Sequence, residues 1–237
     1  MEQNKTQQNT AKFAAIYSGG KDGHLAMFRE IIAGNEISCL IHIDGGEGHS
    51  HFFHDMRKTG IIKSHAARMG IPLVICNLIP GMRQGKAGTT DMLSYLGESA
   101  ARQYSFDAIC IGAADGDDDG NADSFRQAGI AAGIKIETPL AGLSAADILR
   151  QQEEAGIKAI IVAAEKGKMP ESVLGMETGL RFAAILEKLN AKGINADGND
   201  FQTLVTDSPL FSSPIKIKKT EIIRDRERSY LKITEFE

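Results

Sequence analysis

Ser18-Gly19-Gly20-Lys21-Asp22-Gly23 carries the chemistry of an anion site. Two glycines let a backbone approach a ligand closely and reach φ > 0. The apolar run Phe13–Tyr17 precedes them, and Leu25, Met27, Phe28, Ile31 and Ile32 follow, mostly on one helical face. The loop therefore joins a strand to a helix start, where free N–H groups and a partial positive charge favour phosphate. Ser18 adds a hydroxyl and Lys21 a mobile cation. A plain strand-to-helix turn also uses paired glycines; the added serine, lysine and aspartate turn the pattern toward nucleotide binding. Neither G-x-x-x-x-G-K-[ST] nor G-x-G-x-x-G is present.

A second constellation lies near the C-terminus, at Asp197-Gly198-Asn199-Asp200-Phe201-Gln202-Thr203. Two carboxylates three apart around a glycine, followed by a strand, suit a metal or an amine. By itself the segment also reads as an ordinary loop.

Two further clusters are less specific. Asp115 to Asp123 opens like a calcium loop, but Arg126 stands where the bidentate glutamate belongs. A solvated acidic loop is the reading, with Asp115 or Asp117 left open as a Mg²⁺ neighbour. His49, His51 and His54 suggest zinc, yet no cysteine or further histidine obviously completes a site.

The elements that must position these residues alternate. Strands are expected at Lys12–Tyr17, Ser38–Ile43, Leu73–Asn77 and Ala108–Ile111, with helices at Gly23–Ala33, Phe53–Met69 and Thr90–Tyr104. Such apolar strands, separated by helices, predict an α/β fold with a parallel sheet covered on both faces. Gly70-Ile71-Pro72 stops the second helix. A second block begins near Pro139. It holds helices at Ser144–Ala155, capped by Ser144 and Asp147, and at Thr178–Asn190. Its strands are Lys158–Ala163, Thr203–Val205 and Tyr230–Thr234, and Ile215 to Lys219 alternates like a half-exposed strand. Domains of 11–138 and 139–237 follow.

The 237 residues are 42 % apolar, 24 % charged and carry a net charge of −4. A core can form, and the balance argues against a dedicated nucleic-acid binder. Cys39, Cys76 and Cys110 lie apart in apolar runs and read as buried free thiols, which suits a reducing, cytoplasmic setting. No run approaches about 18 apolar residues, so no membrane span is expected. Met1 to Thr10 is polar, unlike a signal peptide, and is expected to be frayed.

The two motifs together resemble the diphthine–ammonia ligase family, also called ATP-binding domain 4, within the PP-loop ATP pyrophosphatases. That family has an S-G-G-K-D-S loop, matched at Ser18 to Asp22. It also has G-E-x-G-E-[FY]-x-T followed by D-x-P-L-F. Asp197, Gly198, Asp200, Phe201 and Thr203 match the first part with changes, and Asp207, Pro209, Leu210 and Phe211 match the tail. Phe53-His54, Ala66–Leu73, Pro139-Leu140 and Gly156–Val162 fit as well. The resemblance covers about residues 12 to 236. It implies a Rossmann-like, HUP-type nucleotide domain, a smaller C-terminal α/β domain and a cleft between them. It implies that ATP adenylates a substrate carboxylate, that ammonia then forms an amide, and that AMP and pyrophosphate leave. The carboxylate can sit on a modified residue of a translation elongation factor. ATP would be bound by Ser18, Gly19, Gly20, Lys21, Asp22, Gly23 and Gly112. Asp22 would hold Mg²⁺, Asp197 and Asp200 would hold or deprotonate ammonium, and His54 would shape the cleft. Arg126 falls where the family tends to be basic. The resemblance leaves a homodimer open.

The departures fall inside the motifs. Gly23 replaces serine, Asp197 and Asp200 replace glutamates, and Ala196 and Asn199 replace glycines. Ala113, not aspartate, follows Gly112. Two alternatives stay open: another adenylating activity on a nucleotide or cofactor, and a nucleotide-binding regulator without turnover.

Overall fold

The computed structural model describes residues 10–44, 60–77, 85–114, 121–194, 196, 198 and 200–237. Its first part alternates strand and helix: β1 Lys12–Ile16, α1 Lys21–Ile32, β2 Glu36–Asp44, α2 Ile61–Met69, β3 Leu73–Asn77, α3 Gly85–Ala101, β4 Ala108–Cys110, α4 Ala122–Ala132 and β5 Ile136–Glu137. The five strands form one sheet in the order β3-β2-β1-β4-β5, and every pairing is parallel.

Period-two alternation decides which residues serve which face. Phe13, Ala15 and Tyr17 join Leu25, Met27, Ile61 and Ile62 from α1 and α2. Ala14, Cys39, Ile41 and Ile109 face the other way, onto Leu93, Leu96, Phe125 and Ala128 of α3 and α4. The sheet is therefore wound on both sides, as its continuous apolar strands require.

The second part runs α5 Ala145–Glu154, β6 Lys158–Glu165, a 3₁₀ turn at Glu171–Val173, α6 Leu180–Ala191, β7 Phe201–Asp207, β8 Ile217–Arg224 and β9 Arg228–Phe236. Its four strands pair antiparallel in the order β7-β6-β9-β8. Ser144 caps α5 with a full capping box: its hydroxyl accepts from Asp147 N at 3.1 Å, and its own N–H reaches Asp147. The two parts share a core. Leu140, Ile157, Val205 and Ile233 pack in the same cluster as Phe13, Leu25 and Ile62.

One expectation needs correcting, and two elements are additional. The helix expected from Phe53 begins at Ile61, because Gly60 is left-handed at φ 70° and cannot continue a helix; residues 53–59 lie outside the described set. The helix α4, after the acidic loop, was not foreseen, and neither was the two-residue β5. The cysteines behave as expected: all three are free and buried, and burial pushes the Cys39 thiol up to about 11.

Candidate functional site

In this strand order β1 has β2 on one side and β4 on the other, so the connections after β1 and β4 leave in opposite directions. A crevice opens at such a point beyond the strand C-termini, and ligands bind there in open α/β sheets. The Ser18–Gly20 loop follows β1 and Gly112 follows β4, so both stand at this crevice.

The loop turns at Gly19, whose φ is +84°. A side chain there would be strained, and its Cβ would lie 2.7 Å from Ile62 Cδ1. Gly20 is the α1 N-cap, with extended backbone. Gly112 packs hardest: a Cβ on it would lie 2.4 Å from Asp22 C and from Gly23 N. Its part is thus a close approach to the first turn of α1. Gly23 faces the end of β1, where a Cβ would lie 3.3 Å from the Ile16 carbonyl oxygen. The glycine relieves crowding between helix and strand at the position where the resemblance expects serine.

The helix start is partly capped from the other half of the chain. The Lys21 N–H donates to Thr203 Oγ1 of β7 at 3.0 Å. Val205 N–H donates to the Gly19 carbonyl at 2.9 Å. Among the described residues the N–H groups of Asp22 and Gly23 meet no acceptor. These are donors that a helix start leaves open for an anion.

The Lys21 side chain is not the mobile cation expected. It is 4 % exposed. Its Nζ donates to both Asp22 carboxylate oxygens, at 2.6 and 2.8 Å, and lies 5.1 Å from the Phe201 ring centroid. That ring is itself fixed edge-on against Phe182 of α6, with centroids 4.8 Å apart. Asp200, one residue earlier, is buried, with Lys168 Nζ 3.6 Å from its carboxylate. Its backbone carbonyl accepts from Glu165 N at 2.8 Å. A cation already stands where an amine-binding role was expected.

The structure thus brings the loop residues together with Phe201 and Thr203 of the second motif. Ser18 is half-buried at the loop's start. Asp197, His49, His51, His54 and the Asp115–Gly120 stretch lie outside the described residues. Arg126 pairs with Asp123 at 2.8 Å on the surface of α4, and Lys216 and Lys218 both pair with Glu237. Among the described residues no group of three or more His, Cys, Asp or Glu is placed to hold a metal. None of the helices there is long and apolar enough to cross a membrane.

Sequence reasoning missed the capping role of Thr203, the partner Lys168, and a buried set behind the loop. In that set Tyr17 Oη bonds His24 Nδ1 at 3.0 Å and His65 Nδ1 at 2.7 Å, and His24 Nε2 bonds Ser208 Oγ at 2.7 Å. Burial lowers both histidines to about 3. Nothing in residue spacing marks these contacts, because their partners lie up to 184 positions apart.

The family model of the diphthamide synthase N-terminal domain matches residues 11–115, and that of the diphthamide synthase C-terminal domain matches residues 144–237. No individual curated protein matches the chain. The first match spans the parallel sheet through β4 and the second spans the antiparallel sheet, so both motifs fall within matched segments. The chain therefore belongs to the diphthamide synthase family, the ATP-using PP-loop enzymes of the diphthine–ammonia ligase kind.

Proposed function

We propose that this protein adenylates a substrate carboxylate with ATP and passes the acyl group to ammonia, forming an amide and releasing AMP and pyrophosphate. The observation that carries this reading is the meeting of the two motifs: Lys21, held by Asp22, lies against Phe201 and is capped by Thr203. A carboxylate is a poor acyl donor, and adenylation supplies a leaving group. The open N–H groups of Asp22 and Gly23 suit the pyrophosphate, with Lys21 as the buried counter-charge. Ser18, Gly19 and Gly20 line the approach, and Gly112 keeps it narrow.

Mg²⁺ fits this donor set as an ion that keeps most of its water. Such ions take one or two carboxylates and the substrate phosphates, with no protein cage. Asp22 is the residue that would hold it; its side chain is 38 % exposed, and a carboxylate accepts more than the two bonds Lys21 makes. The ion would neutralise charge on the phosphates as pyrophosphate leaves.

Asp200 is assigned to the second step, with Asp197 three residues before it in sequence. Asp200 accepts an ammonium in this position, that of Lys168 3.6 Å away, which a substrate ammonium would share or displace. The acceptor is a carboxylate on a modified residue of a protein such as a translation elongation factor, which suits the family. The protein acts in the cytoplasm.

The experiment supplies ATP, Mg²⁺, ammonia and an elongation factor bearing the carboxylate labelled with heavy oxygen. Label in AMP, with amide on the factor, supports the reading. Label in phosphate, or amide without AMP, contradicts it.

A further inference from the structure

Behind the phosphate loop, four side chains from separate segments form one buried line. Tyr17 follows β1, His24 lies in the first turns of α1, His65 belongs to α2, and Ser208 follows β7. Tyr17, His24 and His65 are fully buried and Ser208 is 5 % exposed. Polar groups this deep are almost always hydrogen-bonded.

Proton counting gives the line a direction. The Tyr17 hydroxyl has one proton for two Nδ1 atoms. The shorter bond, 2.7 Å, goes to His65, so Tyr17 donates there and accepts from His24 Nδ1–H at 3.0 Å. His24 Nε2 is then bare and accepts the Ser208 hydroxyl at 2.7 Å, while Ser208 Oγ accepts Leu210 N–H at 3.1 Å. The opposite assignment leaves the Ser208 proton without an acceptor among the described residues and His65 Nε2 bare. In the favoured arrangement only His65 Nε2–H lacks a well-aligned partner there, and the Val205 backbone acts on that ring. Phe211 holds both imidazoles, at centroid distances of 5.3 and 5.0 Å.

The line touches the loop from three sides. Tyr17 is bonded covalently to Ser18. His24 follows Gly23 in the helix whose N–H groups face the crevice. His65 forms part of the floor under Gly19, beside Ile62: a Cβ on Gly19 would sit 3.5 Å from His65 Cε1 and 2.7 Å from Ile62 Cδ1. At the far end Ser208 belongs to the segment that continues β7, whose Thr203 and Val205 already grip the loop.

We propose that Tyr17 is a positioning residue for the phosphate loop, fixing its shape through His65 beneath Gly19 and through His24 in α1. The C-terminal segment sets the same shape through Ser208. This rests on the reading that the loop receives the ATP phosphates.

The test compares wild type, Tyr17→Phe and Ser208→Ala by amide hydrogen exchange and by calorimetric binding of Mg·ATP. Tyr17→Phe keeps the ring but strands two imidazole nitrogens. It is expected to speed exchange at Gly19, Gly20 and Lys21 by about ten-fold or more over the average for the chain. Mg·ATP binding should weaken by about ten-fold, with imidazole nitrogen resonances shifting at His24 and His65. Ser208→Ala should do the same to a smaller extent, and it serves as the probe if Tyr17→Phe does not fold. A rise in exchange spread evenly over the chain, with the loop amides no faster than the average and affinity unchanged, would overturn the proposal, leaving the line a core-packing feature. If wild type itself binds no Mg·ATP, the phosphate reading fails separately, and the loop amides alone decide the positioning role.

Discussion

Lys21 and Asp200 carry the most direct expectations. Lys21→Ala removes the counter-charge at the loop, leaves Asp22 without its buried partner and empties the space over Phe201. Pyrophosphate release should vanish and Mg·ATP affinity should fall by ten-fold or more, read by calorimetry and a pyrophosphate assay. Unchanged kinetics would remove Lys21 from the phosphate site. Asp200→Asn keeps shape and loses charge. ATP binding should persist while the ammonia-dependent step slows, seen as a raised KM for ammonia. A large loss of ATP affinity would place Asp200 at the nucleotide instead. At this scale the sequence was informative where chemistry is local. Ser18 to Asp22 reads as a candidate anion loop because serine, paired glycines and lysine share one turn, and that turn does join β1 to α1. It did not announce that Lys21 is buried, since that depends on Phe201, 180 residues away in sequence.

Packing between elements explains the glycines better than ligand contact does. Gly112→Ala would drive a Cβ into the backbone of α1's first turn. It should destabilise the protein by about 1–3 kcal/mol and weaken Mg·ATP binding, both measurable by urea unfolding and calorimetry. Thr203→Val deletes the cap on Lys21 N–H and should cost about 1 kcal/mol; Thr203→Ser should restore most of it. The strands β1 to β4 were legible because each is a short apolar run between helical patterns, and α5 because Ser144 and Asp147 form a local capping box. The helix α4 was hidden by the acidic residues before it, although Asn121 caps it by accepting from Ser124 N. The two residues of β5 carry no period to detect. The start of α2 was misplaced because Gly60, left-handed at φ 70°, cannot continue a helix.

Across the whole molecule, the C-terminal sheet is tied to the Ser18–Lys21 loop. Val205 and Thr203 bond the loop, Arg68 of α2 reaches Ser213, and Ser212 N–H returns to Arg68. Such docking was not legible from periodicity, which reports each element's own inward face and not which neighbour it meets. One consequence is acid sensitivity. His24 and His65 stay neutral in the folded protein down to about pH 3, against 6.5 when exposed, chiefly through burial. The charges of His24 and Arg68 push His65 the same way, and the Val205 backbone opposes them. Between those values the unfolded chain binds more protons, so unfolding free energy rises with pH there. Stability from this pair should be complete above about pH 6.5 and decline toward pH 3, by up to about 1.4 kcal/mol per pH unit for each histidine. Urea unfolding across that range checks it, and a profile unaltered by His65→Phe would contradict it. The central claim is that the two motifs form one adenylating site. The most direct measurement identifies the products of ATP when protein, Mg²⁺, ammonia and a carboxylate acceptor are combined. AMP and pyrophosphate in equal amounts, lost in Lys21→Ala, is the predicted result; ADP and phosphate, or intact ATP with every acceptor tried, would contradict it.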